Sequence, residues 1–150
     1  MKKQDDLKTK NIICETLISE GYCHRMLQNF VAAISCGRRA EEIIIGLHGE
    51  QSLPYTVNIE REELWVKTKA MLGRVLCLQG ENFRASDEYK AIVGFFSPST
   101  SNPEAILSKN LIGTASHYQS LYAAHINLAA CFYAIKDYHT AKSHIFSAIE

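Results

Sequence analysis

A spacing of small residues that recurs three times is the feature that most constrains the fold of this chain. In each segment two small residues stand twelve positions apart, and apolar or small residues follow the second one four and seven positions later. The three pairs are Gly21 and Ala33, Gly73 and Ala85, and Ala129 and Ala141. Small residues let two helices approach closely, and residues at i, i+4 and i+7 share one face of a helix. The spacing therefore predicts a helix hairpin that is repeated three times.

The turn of each hairpin is predicted at one shared position between the two small residues. Gln28, Gly80 and Lys136 occupy this position, and an aromatic residue follows closely each time. With only three prolines and eight glycines in 150 residues, and no convincing strand alternation, a turn-rich β fold is disfavoured. The predicted fold is all-α, built from antiparallel helix pairs.

We expect one domain over 1–150, with helix pairs at about 5–46, 58–96 and 103–150. Asn58 is the predicted N-cap of the second pair, and the acidic residues that follow it suit the positive end of a helix. These acidic residues are Glu60, Glu62 and Glu63.

Charge and composition narrow the possible functions. Sixteen Lys and Arg balance sixteen Asp and Glu, so the excess positive charge that drives general nucleic-acid binding is missing. No apolar run approaches the ~20 residues that span a bilayer, so membrane insertion is not expected. Five cysteines stand singly without a C-x-x-C pair, which favours reduced thiols packed in a cytoplasmic protein over a disulfide or zinc framework.

No pattern of catalytic or metal-binding residues emerges from the sequence. G-x-S-x-G and the glycine-rich phosphate-binding loops are absent. His139 and His144 are five apart and would point away from each other on a helix, and no other ligand type accompanies His117 and His125. We therefore expect no enzyme activity, no cofactor and no metal site. A solvated helix face is predicted for Arg38, Arg39, Glu41 and Glu42.

The three segments resemble the tetratricopeptide repeat (TPR) family. The third segment matches best, with a Leu-small pair, an aromatic residue, an Asp-Tyr turn and two alanines over residues 127–138 with Ala141, Phe146 and Ala148. The second keeps Leu72, Gly73, Leu76, Gly80, Ala85, Tyr89 and Ile92. The first keeps Gly21, His24, Phe30, Ala33 and Ala40, but has Glu20 in place of leucine and Gly37 in place of an aromatic residue.

The repeats are longer than those of most family members. Repeats of the family have about 34 residues, whereas Gly21, Gly73 and Ala129 stand 52 and 56 residues apart. The chain is similar in this respect to repeats of the kinesin light chain type, with a glycine-containing loop at 46–49. A weaker likeness is to the helical region of ciliary proteins that carry a MYND zinc finger, whose cysteine pattern is missing here.

The resemblance implies a short right-handed solenoid whose outward helices line a concave groove for a partner protein. The implied groove positions are Ser19 and Tyr22 in the first repeat, Lys67, Met71 and Arg74 in the second, and Ala123, Asn127 and Ala130 in the third. Only Asn127 matches the carboxylate-clamp members of the family. Lys67, Arg74 and Asn127 would suit an acidic or extended peptide, and ordinary solvated positions are an equal alternative.

The predicted function is a non-catalytic scaffold or adaptor that binds a peptide or helix of another protein. The alternative is a regulatory or positioning subunit of an enzyme, or of a cytoskeletal or ciliary complex, whose chemistry lies elsewhere. The expected location is the cytoplasm, with cytoskeletal or ciliary association under that alternative. Because no capping helix precedes the end at Glu150, we expect either a longer native chain or self-association through an apolar end surface that includes Phe146 and Ile149.

Overall fold

Every helix in the computed structural model, which describes residues 2–46, 55–96 and 114–150, belongs to one of three consecutive pairs. The first pair is α1 (Lys2–Met26) and α2 (Phe30–Gly46), the second is α3 (Tyr55–Leu78) and α4 (Asn82–Phe95), and the third is α5 (Ala115–Ala134) and α6 (Tyr138–Ile149). No strand occurs within these ranges, so the prediction of an all-α fold is confirmed. Among the same residues, no helix combines the length and the apolar character needed to cross a membrane.

The same turn closes all three pairs. Gln28, Gly80 and Lys136 adopt positive φ angles of 61°, 79° and 66°. The N–H of Gln28 donates to the Arg25 carbonyl at 3.0 Å, and the N–H of Asn29 donates to the His24 carbonyl at 2.8 Å. The other two turns repeat both bonds at the equivalent residues, which is the Schellman motif that ends many helices. The turn positions predicted from the repeat are therefore confirmed.

The small residues of the repeat lie where the two helices of a pair touch. Ala33, Ala85, Ala129 and Ala141 are all buried. A Cβ atom added to Gly73 would come within 2.7 Å of the Tyr89 ring, so only glycine allows this approach of α3 and α4. The predicted close contacts within the hairpins are confirmed.

The first pair is antiparallel, as its contacts show. The sulfur of Cys14 lies 3.7 Å from the Ala40 carbonyl oxygen, far from the turn. Nearer the turn, a Cβ on Gly21 would lie 3.5 Å from the carbonyl oxygen of Ala33. Partner residues thus run in opposite directions along α1 and α2.

Met71 joins the second pair to the first. Its thioether lies in a notch, the Gly21/Gly37 notch, that these two glycines form on α1 and α2. A Cβ on Gly21 would sit 2.5 Å from the Met71 sulfur, and a Cβ on Gly37 would sit 3.0 Å from its methyl carbon. Met71 is only 1% exposed, so the prediction that it lines the groove is wrong. A flexible thioether suits such an irregular gap in a core.

The first helices of the three pairs lie side by side. Helix α1 contacts α3, and α3 contacts α5. The second helices connect the pairs, since α2 contacts α3 and α4 contacts α5. This arrangement gives α1, α3 and α5 a common face.

The second pair begins earlier than predicted. Helix α3 starts at Tyr55, so Asn58 lies inside it and is not its N-cap. Glu62, expected near the N-terminus of this helix, lies about two turns inside α3 and is fully buried. Residues 103–113, which open the third predicted repeat, lie outside the described residues. Helix α5 begins after Thr114, whose hydroxyl oxygen accepts a hydrogen bond from the His117 N–H at 3.2 Å.

Helix α6 leaves an apolar surface uncovered. Phe146 is 55% exposed and Ile149 is 75% exposed, and Ile145 beside them is exposed as well. The end surface expected from the sequence is therefore present. Its role in self-association stays a prediction.

A closed ring of four charged side chains, the Arg38–Glu41–Lys69–Glu88 ring, also joins the first two pairs. Arg38 lies 2.9 Å from Glu41 and 2.5 Å from Glu88. Lys69 lies 3.1 Å from Glu88 and also contacts Glu41. The predicted solvated face is thus wrong for Glu41, whose side chain is only 15% exposed. Arg38, whose side chain is 39% exposed, is solvated in part while it contacts Glu41 and Glu88. Arg39 and Glu42 are exposed, as predicted.

Each cation of the ring contacts both carboxylates. Burial alone would raise the pKa of Glu41, but hydrogen bonds from Lys69 and Arg38 outweigh it, and the pKa lies below its ordinary value. Removing one member of such a ring leaves buried charges without full compensation. A shift of the first helix pair along the second would separate these charges from their partners and would therefore cost free energy.

We predict that Glu88→Gln lowers the free energy of unfolding by about 1.5–3 kcal/mol, the usual worth of hydrogen bonds to charged groups. Glu42→Gln removes the same charge from an exposed site and is the control. Urea unfolding at neutral pH measures both variants, and equal midpoints would contradict a stabilising ring. In the unaltered chain, ionised Glu41 adds to the free energy of unfolding at pH values above the ordinary carboxyl pKa. This stabilisation is lost as the pH falls through the lowered pKa of Glu41.

Candidate functional site

The candidate site is the common face of α1, α3 and α5, here named the Lys67 groove and defined by Ser19, Tyr22, Lys67, Ala123 and Asn127. A pocket of 640 Å³ between α1 and α3 is lined by Ser19, Tyr22 and Lys67 among others. A second pocket of 240 Å³ reaches from α1 across α3 to α5 and is lined by Tyr22, Lys67, Ala123 and Asn127. The structure thus brings these five predicted residues together.

The other three predicted groove residues lie elsewhere. Met71 is buried in the Gly21/Gly37 notch. Arg74 and Ala130 are exposed, but neither lines the two pockets. Arg74 stands two turns beyond Lys67 on α3, and Ala130 stands one turn beyond Asn127 on α5. The groove therefore lies nearer the starts of α3 and α5 than the family resemblance implied.

Lys67 occupies the centre of this surface. It is exposed and lines four neighbouring pockets, whose other walls come from α1, α3, α4 and α5. On one side the Tyr22 ring lies 5.0 Å from the guanidinium carbon of Arg25, which orients the ring. On the other side the Asn127 amide donates to the Ala123 carbonyl at 2.9 Å. A cation between an aromatic ring and an amide can bind a carboxylate and the backbone beside it.

The groove becomes acidic toward the start of α3. A pocket of 460 Å³ there is lined by three carboxylates and two ammonium groups, those of Lys8, Glu15, Glu60, Glu63 and Lys67. Asn11 also lines it, and its amide donates to Glu60 at 3.3 Å. The buried side-chain oxygen of Asn11 has no hydrogen-bond partner among the described residues. The three carboxylates that line this end favour a ligand group with N–H donors and positive charge.

Two cysteines meet beside the groove, where α3 contacts α5. The sulfur atoms of Cys77 on α3 and Cys131 on α5 lie 3.4 Å apart. The hydrogen bond from Cys131 lowers the pKa of Cys77 to about 7, although burial opposes this, and the charge of Arg74 lowers it further. All five cysteines are unbridged, but sequence reasoning missed this pair because its members stand 54 residues apart in different hairpins.

Two histidines form a second pair of titratable groups inside the third hairpin. Nδ1 of His125 lies 3.1 Å from Nδ1 of His144. The ring of Phe132 stacks on His144, with centroids 5.6 Å apart. Burial lowers the pKa of both histidines and so favours the neutral rings, in which one Nδ1 can donate a hydrogen bond to the other. Sequence reasoning had compared His144 with His139 instead, which lies on the same helix.

A third group combines three types of metal ligand. The ligand atoms of Glu20, His24 and Cys36 all lie within 4.8 Å of one another, a property that no other such cluster shares among the described residues. The spacing of Glu20 and His24 on one helix face is visible in the sequence, but Cys36 comes from the other helix of the hairpin. The expectation of no metal site overlooked this combination.

No protein-family model matches the chain, and no curated protein or solved structure matches it at a significant level. The function must therefore be argued from the geometry of the Lys67 groove and from the repeat pattern.

We predict that Cys131→Ala raises the pKa of Cys77 from about 7 toward its ordinary value of 9.0, because the main cause of the lowering is the hydrogen bond from Cys131. The pH dependence of Cys77 alkylation, followed by peptide mass spectrometry, measures this shift. Cys14→Ala removes another buried thiol and should leave Cys77 unchanged. Ordinary pKa values for both Cys77 and Cys131 in the unaltered chain would show that the thiol pair is not formed.

Proposed function

We propose that this protein is a non-catalytic adaptor that binds an extended segment of a partner protein in the Lys67 groove. The observation that carries the proposal is the common face of α1, α3 and α5, on which exposed Lys67 lines four neighbouring pockets. This surface is formed by three helices that lie side by side. Because the helices are already folded before a segment binds, binding costs the protein little conformational entropy.

The charges of the groove specify the chemistry of the bound segment. An acidic side chain suits Lys67, and a basic side chain suits the pocket that contains Glu60. These two residues stand seven positions apart on α3, which is about 10 Å along a helix. An extended chain covers that length in about three residues. The proposed ligand therefore carries an acidic and a basic residue about three positions apart.

The mixed charge also favours a protein ligand over a nucleic acid. The three carboxylates of the acidic end would repel phosphates, and affinity for nucleic acid depends on an excess of Lys and Arg. The five unbridged thiols suit a reducing compartment, and we propose the cytoplasm as the place of action.

We further propose that the three hairpins form a right-handed solenoid similar to that of TPR proteins. The support is the identical turn at Gln28, Gly80 and Lys136, together with the side-by-side order of α1, α3 and α5. Identical units that contact only their neighbours are the property from which solenoids are built.

A random peptide library displayed on phage tests the binding proposal. Peptides are selected on the full chain and then measured against Lys67→Glu, with Lys142→Glu as the control. Lys142 is exposed on α6, away from the groove, and its substitution changes the net charge equally. We expect selected peptides with acidic and basic residues about three apart, which lose at least about tenfold in affinity for Lys67→Glu, equivalent to about 1.4 kcal/mol.

Two results would contradict the proposal. One is that no selected peptide depends on Lys67. The other is equal loss of affinity in Lys67→Glu and Lys142→Glu, which would indicate attraction to the overall charge rather than to the groove.

A further inference from the structure

We propose that Glu20, His24 and Cys36 bind a transition-metal ion, and that the ligand chemistry selects Zn²⁺. The three ligand atoms all lie within 4.8 Å of one another, and Nε2 of His24 is 3.5 Å from a carboxylate oxygen of Glu20. The site lies within the first hairpin and is independent of the proposed peptide binding.

The local fold brings the three side chains together for two reasons. Glu20 and His24 are one turn apart on α1, so they project from the same face. Cys36 stands on α2, which packs antiparallel against α1, and its sulfur completes the group. The packing of the first hairpin thus also builds the cluster.

The three ligands range from buried to exposed, so an ion can reach the cluster from solvent. Cys36 is buried and forms the floor of the cluster, while His24 is half-buried and Glu20 is exposed. The thiol is therefore shielded, and an ion can enter from the side of the carboxylate. A site with three protein ligands leaves the fourth position of a tetrahedral ion open to water or to another ligand.

The distances are close to those of a formed site. Zinc binds sulfur at about 2.3 Å and nitrogen or oxygen at about 2.0–2.2 Å, so its ligand atoms lie about 3.3–3.8 Å apart in a tetrahedron. The pair of Glu20 and His24 already meets this distance. The other separations in the cluster are at most 4.8 Å, so they need to shorten by no more than about 1–1.5 Å, which small side-chain rotations can supply.

The combination of donors favours zinc over the common hard cations. A thiolate and an imidazole are poor ligands for Mg²⁺ and Ca²⁺, which prefer oxygen. Binding replaces the thiol proton by the metal, and this proton is released to solvent. No oxidant or reductant is required, because Zn²⁺ does not change its oxidation state.

The site lies beside the groove but does not overlap the groove residues of α1. Ser19 and Tyr22 face α3 and line the groove pocket, whereas Glu20 and His24 meet Cys36 of α2. Because the ion would join the two helices of the first hairpin, its binding should stabilise the folded chain. Loss of peptide binding would leave this proposal unaffected.

Titration of the chelator-treated full chain with Co²⁺, a spectroscopic substitute for Zn²⁺, tests the proposal. We expect one equivalent to produce a thiolate-to-cobalt charge-transfer band and the strong visible bands of tetrahedral coordination. Zn²⁺ should abolish both bands and raise the melting temperature. Competition with a chromophoric chelator then gives the Zn²⁺ affinity.

Four variants locate the site. Cys36→Ser should remove the charge-transfer band, and His24→Gln should weaken Zn²⁺ binding by more than the roughly 10–100-fold typical for loss of an outer-shell partner. Cys23→Ser and His139→Gln alter an exposed cysteine and an exposed histidine outside the cluster, and should leave binding unchanged. Circular dichroism verifies folding, and the half-buried His24 provides the test if Cys36→Ser does not fold.

The proposal is overturned if the folded chain shows no thiolate-to-cobalt band. It is equally overturned if the band persists in Cys36→Ser, or if His24→Gln binds Zn²⁺ as tightly as the unaltered chain. Binding that depends on Cys23 or His139 instead would assign the metal to another place.

Discussion

The packing of Met71 into the Gly21/Gly37 notch is the interaction on which the rest of the structure depends. The notch exists only because both positions lack a Cβ atom, since an added carbon would lie 2.5–3.0 Å from the nearest Met71 atoms. This contact places α3 against α1 and α2 at once. It thereby holds Lys67, one turn earlier on α3, beside Tyr22 on the face that we propose as the groove. Gly37, which stands where the second pair has the bulky Tyr89, makes this docking possible.

Polar interactions add specificity to the same junction. The Arg38–Glu41–Lys69–Glu88 ring lies across α2, α3 and α4, and it tolerates burial because its charges balance. At the next junction the contact between Cys77 and Cys131 joins α3 to α5. Side-chain contacts thus join each hairpin to the next. The exposed side chains of the common face take no part in these contacts and remain available for binding.

The sequence was most informative where structure is local. The turns at Gln28, Gly80 and Lys136 follow from turn chemistry and spacing within one hairpin. Contacts between different hairpins could not be predicted from local sequence. Arg38 and Glu88 are 50 residues apart, and nothing in either local sequence reveals that they meet. The same limit explains why Met71 was placed in the groove and why Cys36 was not recognised as the metal ligand proposed above. Ser19, Tyr22 and Lys67, which the family resemblance implied as groove positions, are exposed and lie together.

The docking of Met71 can be measured directly by NMR on a chain labelled with ¹³C at the methionine methyl groups. The chain has three methionines, and Met71→Leu identifies the Met71 signal. The account predicts nuclear Overhauser effects from the Met71 methyl to the α-protons of both Gly21 and Gly37, and none to these glycines from the exposed Met26. A Met71 methyl without contacts to either glycine would contradict the docking of the second hairpin onto the first, and with it the proposed groove.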